Sequence, residues 1–277
     1  MIYFDIIIII LKISKNRGYI MDFQKMLKVA IEAAKKAGID ILEIYKNPFE
    51  IYIKEDESPV TMADIEANRK IIDILTREYP NIAILSEESS DDISRLNEEY
   101  VWLIDPLDGT KEFIKRNGEF CVNIALSYKG QIVLGVIYAP VKNDLYYSIR
   151  GNGSFRVFDG NKIQLNVSKR IKDRRMVIGQ STRVQCVTAL AHSYNIPIIR
   201  MGSALKGCMI ARGDAEMHYR FGPTMEWDTG AMQIILEEAG GYFRQLDDSI
   251  MTYNRKDTKN HKGFYMLNRW ENKITLE

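Results

Sequence analysis

The chain has 277 residues, 46% of them hydrophobic, with 38 basic and 37 acidic side chains and a formal net charge of +1. That is enough apolar material for one large domain or two intimate halves, and the balanced charge argues against a broad nucleic-acid surface, so any anion site must be local. Three widely spaced cysteines (Cys121, Cys186, Cys208) and only three histidines argue against a disulfide framework and a zinc site, and favour a reducing cytoplasm.

Residues 1–20, MIYFDIIIIILKISKNRGYI, carry a short apolar run from Ile6 to Leu11 between Asp5 and Lys12. A spanning helix needs roughly 20 apolar residues, and a signal peptide begins with positive charge and ends in small residues. The segment fits neither and is expected to be an extension, with the working domain running over 21–277. A weak membrane association through it is the less favoured alternative. From Asp22 to Tyr45, apolar residues recur at helical spacing and predict a first helix. A second is predicted within 58–80, with Thr61 as N-cap and Ile65, Ile72, Leu75 and Tyr79 as its buried stripe. Short β-branched and aromatic runs then predict strands at 82–88, 100–106, 120–130, 131–140, 144–150, 162–168 and 175–181. The basic stretch 168–175, SKRIKDRR, is the expected seam between two halves. Beyond it strand and helix patterns alternate through 196–202, 203–213, 214–220 and 227–241. Helices first, antiparallel-looking strands next and alternation last predict layered α+β architecture rather than one doubly wound sheet.

The chemistry concentrates in carboxylates. WLIDPLDGTKEF (102–113) is an apolar strand that ends in two aspartates around a proline, with Pro106 expected to stop the strand. Asp105 and Asp108 then share a turn, Gly109 lets the backbone approach a ligand, and the helix predicted from Thr110 presents free N–H groups to the same place. Carboxylates beside an anion site repel the anion unless a cation lies between, so the pair points to a hard divalent metal that, with the helix end, holds a phosphate. Glu87 and Glu88 follow another apolar run. Asp228 opens the helix over 227–241, and Asp64 lies in the first turn of the second helix. Taken singly, each reads as an ordinary cap, a solvated loop or a turn. Together they suit Mg²⁺, which takes oxygen ligands and retains water, and two ions about 4 Å apart could activate water and stabilise a leaving oxygen.

At these residues the chain resembles the lithium-sensitive, Mg²⁺-dependent phosphatase family that includes inositol monophosphatase and 3'(2'),5'-bisphosphate nucleotidase. The pattern is carried by Asp64, Glu87-Glu88, Asp105-Pro106-Leu107-Asp108-Gly109-Thr110 and Trp227-Asp228, in the family's order. The resemblance spans residues 22 to the C-terminus and implies an αβαβα layered sandwich and phosphomonoester hydrolysis. It further implies two or three Mg²⁺ ions per site. One would be held by Glu87, Asp105 and the Leu107 carbonyl, a second by Asp105, Asp108 and Asp228, and a looser third by Glu87 and Asp64. Thr110 and Asp64 would orient and deprotonate the attacking water, and the Gly109 and Thr110 amides would hold the phosphate.

Within the family, DGTKEFI, GSALKG (202–207) and RFGPTMEWD (220–228) resemble the CysQ-type nucleotidase branch. This makes Gly202, Lys206 and Arg220 substrate residues, with Lys206 or Arg220 the cation for a second phosphate. Thr182 is a further substrate candidate. Here the chain reads Thr182-Arg183-Val184-Gln185 where the branch often has Thr-Arg-Ser-His, and the histidine is missing. The expected activity is removal of the 3'-phosphate of adenosine 3',5'-bisphosphate to give AMP. An inositol or sugar phosphatase with the same metals is the alternative, and a catalytically silent regulatory relative is opposed by the intact carboxylate set. The expected partner is a small phosphomonoester, without nucleic acid or a stable membrane span, and room is left for a homodimer.

Overall fold

The computed structural model describes residues 21–55, 58–180 and 185–275. The extension at 1–20 and the candidate Thr182 lie outside the described residues. Helix α1 (Phe23–Lys46) starts at Asp22, whose carboxylate caps the Gln24 and Lys25 N–H groups at 3.0 Å. Its buried face is built largely from Ala30, Ala33, Ala34 and Ala37, and these small side chains let it lie close against its neighbours. After a hairpin of β1 (Ile51–Ile53) and β2 (Pro59–Thr61), helix α2 (Met62–Glu78) begins at Thr61 as expected. Its buried stripe differs from the predicted one. Ile65 is 43% exposed, and the inward face is Ala63, Asp64, Ala67, Asn68, Ile71, Ile74 and Leu75. Counting apolar residues missed this face because two of its members are polar and two are alanines.

The first sheet has seven strands in chain order: β3 (Ala83–Ser86), β4 (Tyr100–Asp108), β5 (Cys121–Tyr128), β6 (Gln131–Ala139), β7 (Asp144–Ile149), β8 (Ser154–Phe158) and β9 (Asn161–Gln164). Only the β3–β4 pair is parallel. Strand β4 does not stop at Pro106. Asp105 pairs with Asn123, the register shifts, and pairing resumes between Asp108 and Cys121. Pro106 and Leu107 form an irregularity within the strand, one of the places where proline is tolerated, and it re-aims the side chains on either side of it.

Period-2 alternation sends the two faces of this sheet into different cores. Trp102, Ile104, Val122, Ile124 and Leu126 pack with α1 and α2. Val101, Leu103, Cys121 and Ala125 pack with α5 (Leu205–Ala211) and α6 (Glu226–Glu238). The same middle core receives Val177, Phe243, Phe264 and Met266 from a second sheet. That sheet runs β11 (Ile198–Arg200), β10 (Met176–Ile178), β12 (Met217–Arg220), β14 (Phe264–Leu267), β13 (Tyr242–Gln245), parallel across its first three strands and antiparallel across its last three. Val187 and Ala191 of α4 (Gln185–Ser193) cover its outer face with Met176, Ile178, Met217 and Tyr219. The layers are therefore α1/α2, sheet, α5/α6, sheet, α4, the expected αβαβα sandwich.

Residues 165–175 pass from the first sheet to the second. Buried Glu216 holds them, accepting from the Arg175 N–H at 2.6 Å, the Ser168 hydroxyl at 2.9 Å and Arg170 at 2.7 Å. The pattern reading did not foresee the β1–β2 hairpin, β8, α4 or the strands after residue 241. Each is short, and several carry as many polar as apolar residues. Among the described residues no helix is long and apolar enough to cross a membrane.

Candidate functional site

The carboxylates converge where the C-terminal ends of β3 and β4 meet the N-termini of α2, α3 (Thr110–Ile114) and α6. One oxygen each from Glu87, Asp105 and Asp228 lies within 4.8 Å of the others. Asp105 is buried, while Glu87 and Asp228 are half-buried. Burial raises Asp105 well above the usual carboxylate range, and Glu87, Asp108 and Asp228 add to the effect. Asp228 is pushed up to about 8, first by burial and then by Asp108 and Glu87. Like charges held this closely in a desolvated place are costly alone and become favourable around a cation. The donors are hard oxygens, the set that Mg²⁺ takes.

The neighbouring groups are fixed by local structure. Asp228 is the third residue of α6, and its Oδ2 accepts the Met225 N–H at 2.7 Å. Asp105 Oδ1 accepts the Leu107 N–H at 3.1 Å across the strand irregularity. Asp108 Oδ2 is turned to the Ala204 N–H at 2.5 Å and the Asn123 side-chain amide at 3.1 Å, so Asp108 joins the cluster by its charge while one oxygen is engaged elsewhere. Burial raises the pKa of Asp108, opposed chiefly by the charge of Lys206. Asn123 is the polar residue inside the apolar run FCVNIALSY, a signal that sequence reading passed over.

Asp64 and Thr110 form a separate pair beside the cluster. Asp64 Oδ2 accepts from the Thr61 N–H and hydroxyl, each at 2.7 Å, and its Oδ1 accepts the Thr110 hydroxyl at 2.9 Å. Burial raises the pKa of Asp64 against these hydrogen bonds. Thr110 opens a five-residue helix directly after Gly109, whose φ of +98° suits glycine.

Lys54, at the end of β1 on the β1–β2 hairpin, was not foreseen. It donates to Glu87 Oε1 at 3.0 Å and to Glu88 Oε1. Burial works against its charge, yet Glu87 and Glu88 outweigh that and raise its pKa. Glu88 therefore faces Lys54 rather than the three-carboxylate cluster.

A cleft of about 600 Å³ opens beside Asp108 and Asp228 and is lined by Glu112, Gly202, Lys206, His218 and Arg220 among others. Lys206 Nζ donates to the Ser203 carbonyl at 2.5 Å; burial lowers its pKa, opposed by Asp108. Arg220 bonds the Gly222 and Pro223 carbonyls at 3.3 and 3.0 Å. The Gly202 N–H is held by Glu119 Oε2 at 2.8 Å, and a Cβ there would stand 2.6 Å from the Glu119 carbonyl oxygen. A close approach of two chain segments thus already requires glycine at 202. The same Glu119 oxygen accepts the Gln180 side-chain amide at 2.7 Å.

Comparison with known proteins identifies the family. The profile of the inositol monophosphatase family matches residues 22–273. The 3'(2'),5'-bisphosphate nucleotidase CysQ of Salmonella typhimurium is 39% identical over 246 residues, covering 86% of this chain and 98% of that protein. CysQ of Escherichia coli K12 is 37% identical with the same coverage. The crystal structure of CysQ from Bacteroides thetaiotaomicron superposes with a TM-score of 0.79 at 35% identity, covering 90% of this chain and 99% of that one. Inositol monophosphatase from Anabaena superposes at 0.71 with 27% identity, covering 90% and 92%.

Proposed function

The chain belongs to the inositol monophosphatase family, and from that premise we propose that it removes the 3'-phosphate of adenosine 3',5'-bisphosphate to give AMP and inorganic phosphate. It is a phosphatase. The observation that carries this reading is a convergence. A three-carboxylate cluster with a Thr110–Asp64 pair beside it opens through Asp228 onto a cleft that carries two cations, Lys206 and Arg220, on its wall. The similarity to the CysQ nucleotidases, which extends over nearly their whole length, supports the choice of substrate.

The hard-oxygen donors suit Mg²⁺, and Glu87, Asp105, Asp108 and Asp228, with the Leu107 carbonyl and Asp64 at the margin, would hold two or three ions. When bound, they supply positive charge that stabilises the transferring phosphoryl group and acidifies water. The protein's own part is positional. Thr110 gives its proton to Asp64 Oδ1, so its oxygen is left to accept a proton from an incoming water. Asp64, with its pKa raised by burial, is a better base near neutrality than a solvated aspartate. The Gly109 and Thr110 amides face the phosphate, and Lys206 or Arg220 meets the second phosphate on the far wall. Water attacks phosphorus, the bond to the 3'-oxygen breaks, and that oxygen leaves as the ribose hydroxyl.

Phosphate release is the test, measured with and without Mg²⁺ on adenosine 3',5'-bisphosphate, inositol 1-phosphate and a sugar bisphosphate. The nucleotide is expected to lead in kcat/KM by about one to two powers of ten, the worth of a charge-assisted hydrogen bond of roughly 1.5–3 kcal/mol. Lys206→Ala should erode that lead while sparing the simpler monoester. A lead for inositol or sugar phosphate, indifferent to Lys206→Ala, would shift the assignment to that substrate class.

A further inference from the structure

His218 lines the cleft from strand β12 and is 3% exposed. Its Nδ1 lies 2.8 Å from the Val177 carbonyl oxygen on the neighbouring strand. A carbonyl only accepts, so Nδ1 carries the proton and Nε2 is left with a bare lone pair. That Nε2 is buried and has no hydrogen-bond partner among the described residues. Burial, then the nearby charges of Lys206 and Arg220, push the pKa of the ring down to about 3, which keeps it neutral. Lys206 directs one N–H to the Ser203 carbonyl and none to Nε2. The wall therefore holds a fixed acceptor beside two cations. A phosphate oxygen cannot satisfy that acceptor, because both present lone pairs. An O–H or N–H can, and because His218 is among the residues that line the cleft, a group bound there is its natural source.

We propose that His218 is a specificity-determining residue whose Nε2 accepts a hydrogen bond from a hydroxyl or amino donor on the organic part of the substrate, while Lys206 and Arg220 take its second phosphate. The proposal rests on the nucleotidase reading. It divides the wall chemically, with charge read by the cations and the nucleoside read by a neutral imidazole. Leaving a buried acceptor unmatched is costly, so a substrate lacking the donor should be discriminated against by about tenfold to a hundredfold.

The test compares kcat/KM for adenosine 3',5'-bisphosphate, its 2'-deoxy analogue and purine riboside 3',5'-bisphosphate, which lacks the 6-amino group. In the wild-type enzyme one analogue should fall tenfold to a hundredfold below the parent, and which one falls identifies the donor. In His218→Phe the parent and that analogue should become equal, and His218→Gln, which keeps an acceptor, should restore part of the gap. Thermal melts of both variants check the fold, and His218→Leu, which also removes the acceptor, replaces the phenylalanine variant if that one is unfolded; a gap unchanged from wild type in the variant without an acceptor overturns the assignment. Equal turnover of all three nucleotides by the wild type, or one common factor of loss in both variants, overturns the assignment alone and marks His218 as packing. Turnover of sugar phosphates with none of the nucleotides overturns the nucleotidase reading as well.

Discussion

Asp64 serves two neighbours at once. One oxygen closes the cap of α2 through Thr61, and the other orients Thr110. Thr110→Ala removes only the second function, so it should lower kcat by about 10²–10⁴-fold and leave KM within a few-fold, as loss of a contact made in the transition state does. Steady-state kinetics decide, and an unchanged kcat would reduce Thr110 to a helix-opening residue. Asp105→Asn removes the charge at the centre of the cluster and should weaken Mg²⁺ binding and cut turnover by orders of magnitude; near-normal Mg²⁺-dependent turnover would break the site assignment. The same residues set a pH dependence. Burial and its like-charged neighbours push the Asp228 pKa up to about 8 in the fold, against the ordinary aspartate value of 3.8. Between those values the folded chain holds a proton that the unfolded chain has lost. The group's contribution to stability is therefore lost as pH rises through that window. Bound cation reverses the preference. The rise in melting temperature produced by Mg²⁺ should thus be larger near pH 8.5 than near pH 6, with protons released on binding; calorimetry in two buffers of different ionisation enthalpy reads this directly.

At the level of elements, the middle layer is tight. A Cβ on Gly135 of β6 would come within 2.5 Å of Ile234 Cγ2 and 3.0 Å of the Ala231 backbone on α6. Gly135→Ala should therefore destabilise by about 1–3 kcal/mol through overpacking. Because α6 also carries Asp228, Mg²⁺ affinity should fall with it; a variant with wild-type melting and wild-type Mg²⁺ affinity would contradict the close fit. Much of this arrangement was legible from sequence. The long helices, the strands of the first sheet through β7 and the positions of Asp108 and Asp228 at element ends all left periodic or punctuated signals. Other features left none. Ile65 was assigned to the core because hydrophobicity outweighed the small and polar residues that in fact face it. Pro106 was read as a stop because a strand irregularity and a strand end look alike in one dimension. Lys54 and His218 acquire their surroundings only when distant segments meet, so no local pattern marks them.

Across the whole molecule, two sheets share one core through α5 and α6, and the stretch 165–175 is fastened to the second sheet by Glu216. Glu216→Gln keeps the shape but removes a charge that answers Arg170 and Arg175 and accepts a backbone N–H. It should cost about 1–3 kcal/mol, seen as a lower denaturation midpoint, and a midpoint equal to wild type would make the network ornamental. Li⁺ at millimolar concentration should inhibit in competition with Mg²⁺, since it brings less charge to the same oxygens; indifference to Li⁺ would indicate a differently built second ion site. The crowded cluster of Glu87, Asp105 and Asp228 also bears on how this sequence can change over generations. A carboxylate kept where burial and like neighbours both oppose its charge lowers the stability of the chain until a cation arrives. Asp105→Asn, which ruins turnover, should then raise the melting temperature in EDTA, by about 2–4 °C for each kcal/mol of repulsion relieved. Drift toward a sturdier chain would erase these aspartates first, so their presence together marks selection for catalysis at the expense of thermal endurance.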